Sequence, residues 1–260
     1  MQFNNIIYQK SEAVAKIIIN RPEQMNALNI EARREILKAL EDADLDDTIR
    51  LVILSGAGEK AFCAGADIKI FLDMNAVEAR KYVKLAKQVA RTIECLSKPV
   101  IAAIKGHTFG GGLELALACD LIIASENAKF GQTEINVGLI PGVGGTQRLP
   151  RAVGIRIAKE LIFAGGTIDA EEAYRIGLIN KVVPLEEVDA TVNEYVGKIL
   201  SKSPLILKIA KKTVNKSFET DMFSGLDYET EAFINCFTTH DQKEGAQAFL
   251  EKRKPKFNGK

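Results

Sequence analysis

Gly110, Gly111 and Gly112 stand in a row between a short apolar run, Pro99-Val-Ile-Ala-Ala-Ile104, and an apolar stretch, Leu113 to Ala118, that carries one carboxylate, Glu114. The run before the glycines reads as a buried strand and the stretch after them as a helix, which makes this an α/β chain. The glycines therefore fall at a helix N-terminus. The first amides of a helix lack intrahelical partners and carry the positive end of the macrodipole, so the N–H groups of Gly111 and Gly112 can face an anion. Glycine also removes the side chain that would keep a ligand away. Glu114 lies in the first turn among leucines and alanines, surroundings that raise a carboxyl pKa and suit a general acid or base. The alternative is a capping glutamate that interacts with the helix dipole.

The same strand-to-loop-to-helix order recurs along the chain. Ile6 to Gln9 and Val14 to Ile19 are β-rich runs, the second closed by Asn20-Arg21-Pro22, and Asn29 caps a helix expected over Ile30 to Leu45. Arg50 to Leu54 is a buried strand, Ser55 to Asp67 a glycine-rich loop, and Val77 to Leu96 a long amphipathic helix. After the Pro99 strand come Asp120 to Ala124 and Lys129 to Gly131 as strands. A second glycine-rich loop, Gly138 to Gly145, leads to a helix around Ile155 to Ala164. A ββα order thus repeats without repeated residues. From Asp169 the chain is mainly helical, with segments Ala170 to Gly177, Leu185 to Ser201, Pro204 to Ser217, Asp221 to Thr238 and Asp241 to Lys252 around a Val182-Val183 strand stub. Pro204 after Ser203 fits a capped helix start. This shift divides the chain into a core, residues 1–190, and a C-terminal helical subdomain, residues 191–260.

Composition narrows the function. With 35 basic and 34 acidic residues the net charge is +1, so nothing global attracts a nucleic acid or a membrane. Met1 to Ile7 lacks the basic and long apolar regions of a signal peptide. No run approaches the roughly 20 apolar residues of a membrane span, and a cytoplasmic protein is expected. Cys63, Cys95, Cys119 and Cys236 are scattered, and only His107 and His240 are available, so no metal centre is expected.

Two loops add to the glycine segment. Ser55-Gly-Ala-Gly-Glu-Lys-Ala61 formally fits a dinucleotide fingerprint, yet no helix opens after it, which argues against that use. Ala64-Gly65-Ala66 instead presents backbone with almost no side chain before Asp67. A second amide there would complete an oxyanion hole; a tight turn of small residues is the other reading. Gly131-Gln-Thr-Glu134 supplies a second carboxylate. Glu114 and Glu134 can share acid and base roles if the fold joins them, and Glu134 is otherwise a loop salt-bridge residue.

Taken together, Ala64-Gly-Ala-Asp-Ile68, Gly106-His-Thr-Phe-Gly-Gly-Gly-Leu-Glu-Leu-Ala116, Gly131-Gln-Thr-Glu134 and Pro141-Gly-Val-Gly-Gly-Thr-Gln-Arg-Leu149 resemble the enoyl-CoA hydratase (crotonase) family. The resemblance runs from Asn20-Arg-Pro22 and Asn26-Ala-Leu-Asn29 to Ala248-Phe-Leu-Glu-Lys-Arg253. It implies a spiral of ββα units with a C-terminal helical region used in trimerisation, and a homo-oligomer built as a dimer of trimers. It also implies an oxyanion hole at the Ala66 and Gly111 amides, and reversible syn addition of water to a short 2-enoyl-CoA, in which Glu114 holds and activates the water while Glu134 exchanges the proton at C2. The acyl-CoA thioester is the expected partner, held by Ala64, Gly65, Ala66, Asp67 and Ile68, by Gly110 and Gly142, and by Phe249 and Lys252, with coenzyme A as part of the substrate and no further cofactor. Relatives that isomerise double bonds often keep only the second glutamate, so the pair favours hydration. Thr133 departs from the proline found in many such hydratases. Dehydration of 3-hydroxypropionyl-CoA or 3-hydroxybutyryl-CoA is the same chemistry in reverse. RNA binding through Lys252-Arg-Lys-Pro-Lys256 is a noncatalytic alternative known in the superfamily.

Overall fold

The computed structural model describes residues 2–260. In chain order the elements are β1 (Ile6–Ser11), β2 (Val14–Ile19), α1 (Ile30–Leu45), β3 (Leu51–Gly56), β4 (Ala61–Cys63), α2 (Ala76–Cys95), β5 (Val100–Ile104), β6 (His107–Phe109), α3 (Gly111–Ala116), β7 (Leu121–Ser125) and β8 (Lys129–Gly131). Then follow α4 (Gly145–Val153), α5 (Ile155–Ala164), β9 (Ile168–Asp169), α6 (Ala170–Arg175), β10 (Lys181–Val183), α7 (Val188–Leu200), α8 (Pro204–Lys216), α9 (Met222–Cys236) and α10 (His240–Leu250).

The ββα repeat is a spiral. Three turns, β3-β4-α2, β5-β6-α3 and β7-β8-α4, each add one strand to a large sheet and one to a small sheet before the helix, while β1 and β2 both join the large sheet ahead of α1. The large sheet runs β1-β2-β3-β5-β7-β10 and the small one β4-β6-β8-β9. Thus β3, β5 and β7 pair in parallel in the first, while β4, β6 and β8 pair in parallel in the second. Both faces of the large sheet are covered at its centre, which explains why β3, β5 and β7 are near-continuous apolar runs rather than alternating ones, while the edge strand β1 is largely exposed. Val52 and Leu54 face the main core, whereas Leu51 and Ile53 pack with Ile101, Val188 and Val192 on the other side. Each such fully buried side chain contributes about 2 kcal/mol to the folded state.

Three features depart from the sequence reading. The loop expected over Ser55 to Asp67 contains β4. The one over Gly138 to Gly145 ends in an extra helix, α4. The boundary expected between residues 190 and 191 falls inside α7, whose Val188 and Val192 are buried against the large sheet. Their apolar spacing ties this helix to the core, and the outlying helices begin with α8. Among the described residues no helix is long and apolar enough to cross a membrane.

Candidate active site

The site gathers where β4, β6 and β8 end. Their parallel pairing sets side by side the three segments that follow them, Ala64 to Ile68, Gly110 to Glu114 and Gln132 to Glu134.

The first segment is held from the Asn20 to Asn29 loop. Ala64 N donates to Met25 O at 3.0 Å, Leu28 N to Gly65 O at 2.8 Å, and Asp67 N to Leu28 O at 3.1 Å. Arg21 pairs with Asp67 at 3.3 Å, and the buried Asn26 Nδ2 donates to Ala61 O at 2.7 Å. These bonds use Ala64 N, Gly65 O and Asp67 N around Ala66 and leave its own N–H without a protein acceptor among the described residues. Gly111 N, the first amide of α3, is likewise unpaired. A Cβ built on Gly111 would lie 3.6 Å from Ala66 N, so the two free amides border one space. Gly110, at φ 49°, turns the chain into α3 and donates to Gly131 O at 2.8 Å.

Glu114 is 1% exposed. Its Oε1 accepts from Val143 N at 2.6 Å and Gly145 N at 2.8 Å. Burial raises its pKa, against the pull of those two amides and of the Arg33 and Arg148 charges. The Val143 to Gly145 loop is fixed in turn by Arg148, which donates to Val143 O at 2.7 Å and forms a two-point ion pair with Glu94. Gly144 adopts φ 118°, and a Cβ there would overlap the Arg148 guanidinium.

Glu134 is half-buried and opens a short 3₁₀ turn. Both of its oxygens accept from Gln132 Nε2, at 3.0 and 3.1 Å. Its carboxylate lies against Gly110, where a Cβ would sit 3.1 Å from Oε1. Burial, with a further contribution from the Glu114 charge, pushes its pKa up to about 7. The fold therefore joins the two carboxylates, each biased toward its neutral form by burial, an arrangement suited to general acid and base roles.

That shift has a consequence for stability. A folded-state pKa near 7, above the ordinary value of 4.5, means that the neutral Glu134 is favoured by folding below pH 4.5 and that this advantage disappears as pH rises through 7. Glu134→Gln, which cannot ionise, should match the wild type at pH 4.5 and exceed it by about 2 kcal/mol at pH 8, a figure reduced for partial solvent access. Thermal denaturation of both proteins across that range checks the divergence.

Of the other expected ligand contacts, Gly142 lies half-buried beside Val83 on the loop that holds Glu114, and Ile68 is exposed at the start of a 3₁₀ turn. Phe249 and Lys252 stand exposed on α10 and just beyond it, with no hydrogen bond to the Ala64 to Ile68 segment. Three residues at the site have no place in the sequence reading: Gln132, Arg148 and Arg33. Gln132 and Arg148 offer no periodic signal. Arg33 precedes Ile36 and Leu40 at helical spacing, which marks it as a charge on the core side of α1.

Free amides at a helix start and a buried carboxylate pair define a site for polarising a carbonyl while protons move beside it, and the profile of the enoyl-CoA hydratase/isomerase family matches residues 9–260. The chain belongs to that family. It is 48% identical over 260 residues, the whole of both chains, to the crotonyl-CoA hydratase of Syntrophomonas wolfei. It is also 48% identical over 254 residues to the short-chain-enoyl-CoA hydratase of Clostridium acetobutylicum, covering 98% of this chain and 97% of that one. The crystal structure of an enoyl-CoA hydratase from Bacillus anthracis superposes with a TM-score of 0.95 at 42% identity, covering 99% of this chain and 100% of that one.

Proposed function

We propose that this chain is a short-chain enoyl-CoA hydratase, adding water reversibly across the C2=C3 bond of a trans-2-enoyl-CoA such as crotonyl-CoA. The observation that carries the reading is the burial of Glu114 and Glu134 together beside the unpaired Ala66 and Gly111 amides. Both relatives named for short-chain hydration, at 48% identity, support the substrate class.

In this reading the two amides bind the thioester oxygen. As the oxygen of water bonds to C3, Glu114 takes its proton, the π electrons move through C2 to the thioester oxygen, and Glu134 delivers its proton to C2 as the carbonyl re-forms; return of the proton from Glu114 to Glu134, directly or through water, restores both groups for the next turnover. The amides are already aimed at the developing charge and need no reorganisation. The reaction is balanced by water alone and calls for no metal or redox cofactor. Burial holds the Glu134 pKa up at about 7, so neither its proton-donating nor its proton-accepting form is strongly disfavoured near neutrality, which serves both directions.

Self-association as a dimer of trimers belongs to the same reading. It is supported by the apolar side chains that α9 and the residue closing it expose, among them Met222, Phe223, Phe233, Ile234 and Phe237. Phe249 and Lys252 would then serve a neighbouring copy's coenzyme. A cytoplasmic location suits a coenzyme A thioester substrate.

The test is the loss of enoyl absorbance when crotonyl-CoA is added to purified protein, with 3-hydroxypropionyl-CoA as a second substrate. Fast hydration is expected, and the ratio of the two rates reports the working direction. A folded protein inert toward both, or one that binds RNA in a salt-sensitive manner without turnover, would overturn the reading.

A further inference from the structure

Arg33 is a buried cation that the fold does not need. It projects from α1 into the interior, is 2% exposed, and forms no ion pair with a carboxylate among the described residues. Its Nη2 donates to Tyr82 Oη at 2.7 Å, its guanidinium lies 5.0 Å from the Tyr82 ring centre, and its Nε is buried without a partner. A buried cation without a counter-ion is strongly destabilising, and one neutral hydrogen bond with a ring contact offsets only part of that. An apolar residue in line with Ile36 and Leu40 would be the stable choice. What the charge does border is the amide pair. Nη2 lies 3.4 Å from the position a Cβ on Gly111 would take, and Ala66 N lies 3.6 Å from that same point.

We propose that Arg33 is an electrostatic component of the thioester site, a fixed positive charge behind the Ala66 and Gly111 amides that stabilises the negative charge developing on the bound carbonyl oxygen. The proposal rests on the assignment of those amides as the carbonyl-binding pair. Arg33 does not replace them: its forward nitrogen is engaged with Tyr82, and it acts through space in surroundings from which water is excluded. The same charge favours the ionised, water-activating form of Glu114. The groups facing Glu114 are Arg33 from α1, Tyr82 from α2, Arg148 from α4 and Glu134 after β8, while β4 carries Cys63 and β6 carries His107 stacked on Phe109. Without Arg33, Arg148 is the remaining cation in that set.

Arg33→Met keeps an unbranched chain and removes the charge, Arg33→Gln keeps a polar amide without the charge, and Arg33→Lys keeps the charge. The Met and Gln variants are expected to lose about tenfold to a hundredfold in kcat/KM on crotonyl-CoA, with an unfolding temperature equal to or above that of the wild type. The acid limb of their pH profile should move to higher pH, and Arg33→Lys should recover most of the rate. Isotope-edited infrared spectra of bound butyryl-CoA, which cannot be hydrated, give a readout independent of turnover. The thioester carbonyl band should fall on binding to the wild type and return partway toward its free position in Arg33→Met. Full kcat/KM with an unmoved pH profile in Arg33→Met and Arg33→Gln, or a carbonyl band identical to that of the wild type, would overturn the role of Arg33 and leave the amide pair standing. A carbonyl band that does not move on binding to the wild type would remove the amide assignment and the proposal together.

Discussion

Replacing Glu114 by glutamine should lower kcat on crotonyl-CoA by on the order of a thousandfold or more while leaving the unfolding temperature within a few degrees of the wild type. The two consequences separate because the carboxylate is held by acceptor bonds alone. Oε1 receives the Val143 and Gly145 amides, and a glutamine oxygen can receive both in the same place. Basicity toward the water is what the substitution removes, and Glu134, held by Gln132 and against Gly110, is in this reading engaged with the proton at C2. Initial rates of absorbance loss, measured beside calorimetric unfolding, decide the matter. Retained turnover would return Glu114 to the part of a capping glutamate. The matching Glu134→Gln change, if it alone abolished turnover, would point to double-bond isomerisation rather than hydration.

Gly111 and Gly112 are adjacent, yet alanine should damage the protein differently at each. A Cβ on Gly112 would overlap the Cys63 carbonyl and come within 2.8 Å of Cys63 Cβ, both fixed where β4 packs against α3. Gly112→Ala must push β4 away from the helix, which should cost about 3 kcal/mol and several degrees in unfolding temperature. A Cβ on Gly111 meets only ordinary contacts, the shortest 3.4 Å to Arg33 Nη2, so Gly111→Ala should fold normally. Its methyl group would nevertheless stand beside Ala66 N, in the space where a carbonyl oxygen must enter. Turnover should fall at least a hundredfold, comparable to the loss of one oxyanion-hole donor. Equal unfolding temperatures for the two variants, or full activity in Gly111→Ala, would contradict this division of labour.

The contrast shows what a sequence can and cannot convey. Runs such as Val100 to Ile104 announce themselves because a strand buried on both faces must be apolar throughout. Of the three-residue strands that bring the site together, β8 is read from the sequence as Lys129 to Gly131, whereas β4 and β6 are too short to show a period and their glycine-rich flanks read as loop. α4 is hidden by its start at Gly144 and Gly145 and by the internal Pro150. Glu114 was legible because a carboxylate among leucines is conspicuous. Its amide partners were not, since a backbone N–H has no letter of its own. The spacing of Arg33 with Ile36 and Leu40 puts it on the core side of α1, but what encloses it there, Tyr82 and Gly111, comes from distant segments that only three-dimensional packing brings together.

The arrival of each part of the site on a separate turn of the spiral has an evolutionary reading. The turn ending in β4 delivers one amide, that ending in β6 the other amide and Glu114, and that ending in β8 delivers Glu134. On the proposed mechanism, polarising a thioester and shuttling a proton at C2 are carried on different segments. A lineage can rewrite the segment after β8 to suit a new reaction while keeping an intact grip on the acyl group, so descent within such a scaffold favours diversification of chemistry over diversification of the handle.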